Sequence, residues 1–303
     1  MEAREDKVVL AIALSLMALV LFDLMGLIIK LMSVHYSAAE LSAYRNFFGL
    51  IPSAIALWLS RTWHQKGRIL KIRQWKLACM RGVLTAFAQF FFYLSLGRMA
   101  FATASTITYA NALFMTALAV PLLGERVGPA RWLAVSVGFV GVMMIVRPGG
   151  DSFSYDALFP LAAAFLYALS GVLARRIDIE VPSALINLYS SAASLVGALI
   201  LALVTGGFSD LNAGTDVFWI IAMGCFGGSA VLLLVISVRM TEQSNLAPFN
   251  YFGILIAFVF GWVFFGEAPV DDLFPGALLI AFGGLLIVWR ERRLRQTRTS
   301  SAT

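Results

Sequence analysis

Charge is scarce in this chain. Asp, Glu, Lys and Arg make up only 13% of its 303 residues, against about 25% in a soluble globular domain. That supply cannot clothe a water-facing surface, which excludes a soluble enzyme or binding domain. Histidine and cysteine are scarcer still, with two of each. Cys79 and Cys225 fall inside apolar runs, without a partner at CxxC or Cys/His ligand spacing, and are expected to be packing residues. His35 and His64 fall in connections, and Asp23 is the one acid in the middle of an apolar run. The sequence therefore lacks the convergent groups of an intramembrane enzyme: paired aspartates, Ser with His, or a His-rich metal site. No catalytic residue, metal or cofactor is expected.

Apolar residues are what the chain has, 60% of the total, with a mean hydropathy of +0.85. Apolar runs bounded by charge, Gly or Pro predict membrane-crossing helices near 8–33, 40–60, 75–97, 101–123, 129–147, 155–175, 183–204, 216–238, 244–265 and 272–289. The run from Val8 to Met32 is longer than a signal-peptide core and no small-residue cleavage pattern follows it, so a retained first span is expected. Basic loops resist translocation and so set the orientation. Placing the amino terminus in the cytoplasm puts the loop Arg61 to Lys76, then Arg126, Arg131, Arg175, Arg176, Arg239 and the tail Arg290 to Arg298 inside. Lys30, Arg98 and Arg147 remain at outer ends. Two cytoplasmic termini and an even number of spans follow. The net charge of +6 sits mostly in these connections, which suits anionic membrane lipid and argues against nucleic acid as a partner.

The chain also repeats itself. Gly124-Glu125 and Gly266-Glu267 each close an apolar run and stand 142 residues apart; Gly26 and Gly171, Lys30 and Arg175, and Tyr44 and Tyr189 stand 145 apart. With five spans per copy, the odd number inverts the second copy relative to the first. The expected fold is an all-α membrane protein of ten transmembrane helices, arranged as two inverted five-helix repeats with both termini cytoplasmic. The repeats are expected over 1–149 and 150–289, followed by a basic cytoplasmic tail over 290–303.

Lys30 at the end of the first helix, Arg45 early in the second, and a Gly-Glu pair ending the fourth helix of each repeat resemble the drug/metabolite transporter superfamily, in particular its EamA-type members. The resemblance spans nearly the whole chain. Within that group the length, short loops and aromatic-rich helices look most like bacterial amino-acid exporters of the YddG type. It implies a multi-pass protein of the bacterial inner membrane. Ser190 stands where the second repeat would carry its counterpart of Arg45, so a role for that arginine is not duplicated along the chain.

Polar side chains at membrane depth are costly and should face other helices or a wet cavity. Asp23, Gly26 and Lys30 share one face of the first span, and Asp23 is expected to bind a substrate ammonium or a proton, or else to pair with Lys30 or Arg45. Arg45 can hold a substrate carboxylate through its paired donors, or else snorkel to headgroups. Gln89 and Tyr93 lie on a mixed aromatic and polar stripe suited to a cavity wall. Tyr109, Asn111, Asn250 and Tyr251 occupy nearly symmetric positions in the fourth and ninth spans, with Pro248 a candidate kink or gate. Tyr167 and Tyr189 complete the expected ring. The glycines of the fifth, eighth and tenth spans are expected to allow close helix contact, and Glu125 and Glu267 to stabilise the adjoining helix starts or to pair locally.

The resulting expectation is a secondary transporter that exports amino acids or similar amphipathic metabolites by alternating access between the two halves. Protons are a conceivable coupling ion through Asp23. A passive channel would need a continuous polar lining, which the apolar centre of these spans does not supply.

Overall fold

The computed structural model describes residues 2–289 except 66, 68, 69, 71, 125–127, 147–153, 175, 178–180, 182, 212, 213, 241–245, 247, 248, 250, 284, 287 and 288. The described residues contain helices and turns and no strand. Helix α1 covers Glu2–Met32, α2 Ala38–Trp58, α3 Arg61–Gln65, α4 Trp75–Leu96, α5 Phe101–Thr108, α6 Asn111–Leu123, α7 Pro129–Val146, α8 Leu158–Ala174, α9 Ser183–Val204, α10 Thr215–Met240 and α11 Phe252–Phe265. A last helix, α12, runs over 276–283. Six segments are long and apolar enough to cross a membrane: α1, α4, the α5–α6 stretch, α8 with its preceding 3-10 turn, α9 and α10. The polar residues of α2, among them Ser42, Arg45 and Asn46, are buried and face other helices. Much of the outside is apolar, with Leu203, Phe218, Trp262 and Val263 all exposed, as a surface bathed in lipid requires.

Local chemistry explains the helix ends. Ser37 caps α2 in a reciprocal box: its hydroxyl accepts from Glu40 N–H at 3.3 Å, and the Glu40 carboxylate accepts from Ser37 N–H at 2.6 Å. The same carboxylate takes the N–H of Ser209, which seats the connection before α10 on the start of α2. Gly124 and Gly266 both end their helices in the left-handed conformation, at φ 68° and 65°, a region that costs glycine little. That conformation is the physical reason for the glycine in each Gly-Glu pair.

Two expected spans differ from the structure. The fourth is broken: α5 stops at Thr108 and α6 restarts at Asn111, with Ala110 N–H bonded to Ile107 O, a tighter i−3 turn. The tenth does not run straight from 272, because a helical turn over Val270–Leu273 precedes the turn at Phe274-Pro275. Of the ninth span, the residues before Tyr251 lie largely outside the described set.

The helices pack in matched pairs. Helix α1 lies along α10 and α8 along α4; α2 lies along α10 and α9 along α4; α2 and α9 meet; α6 packs on α8 and α11 on α1. Exchanging α1, α2, α4 and α5–α6 for α8, α9, α10 and α11 carries this set of contacts into itself. Helices α7 and α12 meet each other through glycines: a Cβ at Gly141 would lie 2.6 Å from Gly276 O, and one at Gly283 2.7 Å from Ala134 O. Gly138, Gly224 and Gly228 sit as close to Leu113, Phe48 and Pro52, as the small-residue pattern predicts.

Substituting Gly141→Leu is expected to separate α7 from α12 and to lower the melting temperature of the detergent-purified protein, at a cost of about 1–3 kcal/mol for overpacking. Unchanged melting would show that this contact is not needed.

Candidate functional site

The polar centre is assembled on α2, α4 and α9. Asn46 Nδ2 donates to Gln89 Oε1 at 2.7 Å and to Ser42 O at 2.9 Å, while the hydroxyls of Ser42 and Ser194 donate to the same Gln89 oxygen at 3.2 and 3.4 Å. Three helices thus converge on one amide oxygen. Arg45 joins through Nη1 to Asn46 Oδ1 at 3.1 Å. Its Nε, fully buried, has no hydrogen-bond partner among the described residues. The guanidinium lies over bare backbone, since a Cβ at Gly227 would stand 2.9 Å from Arg45 Nε and 2.5 Å from Met25 Sδ. That glycine on α10 makes the room for it.

Tyr93 and Tyr167 both interact electrostatically with Arg45, and the Tyr93 hydroxyl is buried without a partner. Asp23, on α1, is 7% exposed and its Oδ2 has no partner among the described residues. Its electrostatic neighbour is Tyr109, at the break between α5 and α6. The ring of Tyr109 reaches α11, where its hydroxyl occupies the place of a missing side chain at Gly253. Tyr109 and Tyr167 are both partly buried. Ser105 and Thr106, just before the break, add two more buried hydroxyls without partners. A buried polar atom left unpaired costs about 1–3 kcal/mol, so this concentration of open donors and acceptors marks a place built to meet another molecule or water.

The sequence candidates divide accordingly. Arg45, Gln89, Tyr93 and Tyr167 come together, as do Asp23 and Tyr109; Tyr251 packs beside Tyr109 in the same apolar cluster, and Asn111 opens α6 just past the break. Tyr189 stands apart: its hydroxyl donates to Leu70 O at 3.1 Å, and its ring lines an apolar groove with Cys79, Val83 and Val196 on the outside of α4 and α9. Pro248 and Asn250 lie outside the described residues. The sequence reading did not single out Gly227, Ser42, Ser194 or Thr106. Only the glycine had a readable signal, its membership of a Gly-rich stretch in a span.

Asp23 does not pair with Lys30. Lys30 Nζ instead meets both oxygens of Glu267, at 2.6 and 2.8 Å, and Met99 O at 2.9 Å, and lies 4.8 Å from the centre of the Phe265 ring. Glu267 also accepts from Phe101 N–H at 2.9 Å, the first residue of α5. The expectation of a local role for this glutamate is thus corrected: it ties α1 and α5 to the end of α11. Helix α11 ends in the tight corner at Gly266, which leaves the next side chain pointing back at the bundle.

A family model described as the EamA-like transporter family matches residues 9–147 and again 155–289. Among curated relatives, a riboflavin transporter of Rhizobium johnstonii is 33% identical over 173 residues, 56% of this chain and 56% of that protein. The match to that relative therefore spans little more than half its length. An S-adenosylmethionine uptake transporter of Rickettsia felis is 24% identical over 272 residues, 90% of each chain. Human solute carrier family 35 member G1 is 26% identical over 88% of this chain and 75% of its own. A solved crystal structure superposes with a TM-score of 0.63 at 20% identity, covering 94% of this chain and 98% of that one, a likeness of fold.

The tie between Lys30 and Glu267 is partly buried, its side chains 13% and 30% exposed. A double-mutant cycle with Lys30→Met and Glu267→Gln is expected to give a coupling of about 0.5–3 kcal/mol in thermal stability; strictly additive losses would show the pair to be incidental.

Proposed function

The chain belongs to the EamA-like transporter family and is a multi-pass membrane transporter of small molecules; from that premise we propose that it moves a small zwitterion with an apolar or aromatic body by alternating access. The observation that carries this reading is the placement of two buried, opposite charges with open hydrogen-bonding atoms, Asp23 and Arg45, among tyrosines. Arg45 receives the substrate carboxylate, with Gln89 and Tyr93 orienting it, and Asp23 receives the ammonium. Tyr109, Tyr167 and Tyr251 contact the apolar body and Asn111 adds a polar contact at the break, while Asn250 and Pro248, expected from the sequence to bind and to kink, lie outside the described residues. Tyr189, which lines the outer groove of α4 and α9, is left out of this assembly.

Export of amino acids, aromatic ones included, across a bacterial inner membrane is the first form of the proposal. A second form, uptake of an amino acid that carries a large aromatic group, is favoured by the Rickettsia relatives named S-adenosylmethionine uptake transporters, which match along 90% and more of their length. Both substrates present an α-amino carboxylate to the same two charges. Riboflavin, named for the Rhizobium relative, has an aromatic body and no such zwitterion.

The two halves, 1–149 and 150–289, act as inverted five-helix repeats of a ten-span protein, with both termini and the basic tail in the cytoplasm. The support is the set of helix contacts that maps onto itself when the halves are exchanged. A green fluorescent protein fused after Thr303 is expected to fluoresce and an alkaline phosphatase fused there to be inactive; the opposite pair of results would overturn the topology.

Proteoliposomes carrying the folded protein are expected to exchange labelled amino acids or S-adenosylmethionine, and absence of flux for both sets would sink the zwitterion reading. Arg45→Gln should weaken transport of the amino acid about tenfold or more, the value of one charge-assisted hydrogen bond, and leave a carboxylate-free amine unaffected. If a pH gradient still drives flux through Asp23→Asn, Asp23 is not the coupling residue.

A further inference from the structure

The second repeat has Ser190 where the first has Arg45, and the structure shows what lies against that serine. Arg81, the seventh residue of α4, places Nη1 3.2 Å from Ser190 Oγ. Gly82 and Gly227 stand 145 residues apart, the same offset as Arg45 and Ser190. Each of these glycines presents bare backbone to the other element of its pair: a Cβ at Gly227 would strike Arg45, and one at Gly82 would strike Ser190 O. The cation missing from α9 is therefore supplied from α4, at the equivalent helix crossing.

Ser190 Oγ is bonded to this guanidinium, and no salt bridge to it is found among the described residues, while neighbouring hydroxyls hold the Arg81 backbone. Thr85 Oγ1 and Ser170 Oγ lie 3.0 Å apart and both reach Arg81 O, at 2.9 and 3.3 Å, and Ser190 Oγ donates to Ala78 O at 3.1 Å. Arg81 Nε is fully buried without a partner, while the side chain as a whole keeps some accessible surface. A desolvated cation with no counter-charge is costly, and its open donors suit a planar carboxylate. Ser170 follows Tyr167 by three residues on α8 and shares its face, so the cluster lies one turn of helix from the tyrosine that interacts with Arg45. Arg45 lies in the second turn of α2 and Arg81 in the second turn of α4, helices that begin at opposite ends of the bundle.

We infer that the Arg81 guanidinium, held in place by Ser190, forms a second carboxylate-binding station on the transport path, toward the end of the bundle that carries the amino terminus; Thr85 and Ser170 fix the backbone beneath it. The inference rests on the zwitterion reading above. A substrate carboxylate passes between Arg45 and Arg81 as the protein opens to one side and then the other.

The test compares wild type, Arg81→Gln and Arg81→Lys in oriented proteoliposomes, with phenylalanine and the carboxylate-free phenethylamine offered from each side. Arg81→Gln is expected to raise KM for phenylalanine about tenfold from the amino-terminal side and much less from the other, with no effect on phenethylamine; Arg81→Lys should recover part of the loss. Equal KM from both sides, or equal loss for the two probes, would overturn the assignment. Should wild type move no amino acid, the zwitterion reading fails by itself. The station is then judged by thermal stabilisation with 3-phenylpropanoate, which must be present in wild type and lost in Arg81→Gln; stabilisation absent in wild type or retained in the variant would overturn it.

Discussion

One carboxylate, Glu267, holds three separate parts of the chain together. It takes the ammonium of Lys30 at the end of α1 and the N–H of Phe101 at the start of α5, while its own backbone follows the corner that ends α11. The pair is only partly exposed, and it joins the end of one half to the start of the other. The other end of the bundle answers in kind. Arg176, next to the repeat counterpart of Lys30, reaches the carbonyl of Leu122 just before the Gly124 corner. At each end, a basic residue closing the first helix of one half lies against the corner that ends a helix of the other.

This cross-bracing explains what could be read from the sequence and what could not. Apolar period and charge located the helices, and the recurrence of Gly-Glu located the repeat, because both are written locally: lipid demands continuous apolar runs, and a left-handed corner demands glycine. The partner of Lys30 was not legible, since 237 residues separate it from Glu267 and an acid, Asp23, stands two turns away on the same face. The break at Tyr109 was hidden for another reason. Thr108, Tyr109 and Asn111 are too few polar residues to interrupt an apolar run, and hydropathy is blind to a one-residue change in hydrogen-bond register.

The candidate site was legible by type and not by arrangement. A buried arginine, a buried acid and a set of tyrosines announce a polar centre in any membrane protein. What gathers Arg45 with Gln89, Tyr93 and Tyr167, and sends Tyr189 to the outer groove, is the packing of α2 and α4 against α8, α9 and α10. Tyr44 and Tyr189 match in repeat position and differ in surroundings: Tyr44 lies in an aromatic cluster with Tyr36 and Phe208, whereas Tyr189 bonds to Leu70 O. Repeat symmetry fixes the backbone of such a protein more strictly than its chemistry.

That difference has a functional logic. If the polar centre were symmetric, an arginine at position 190 would lie against Gly82 of α4 as Arg45 lies against Gly227 of α10, putting a second buried cation beside Arg81 in a medium that screens like charges poorly. Having serine there and drawing a guanidinium from α4 keeps a cation on each side of the centre while placing the two on different helices. A substrate that brings its own carboxylate then neutralises one arginine at a time, and the remaining unpaired cation favours the next position. On this argument the imperfect repeat leaves an otherwise symmetric scaffold with cations on two different helices, Arg45 on α2 and Arg81 on α4.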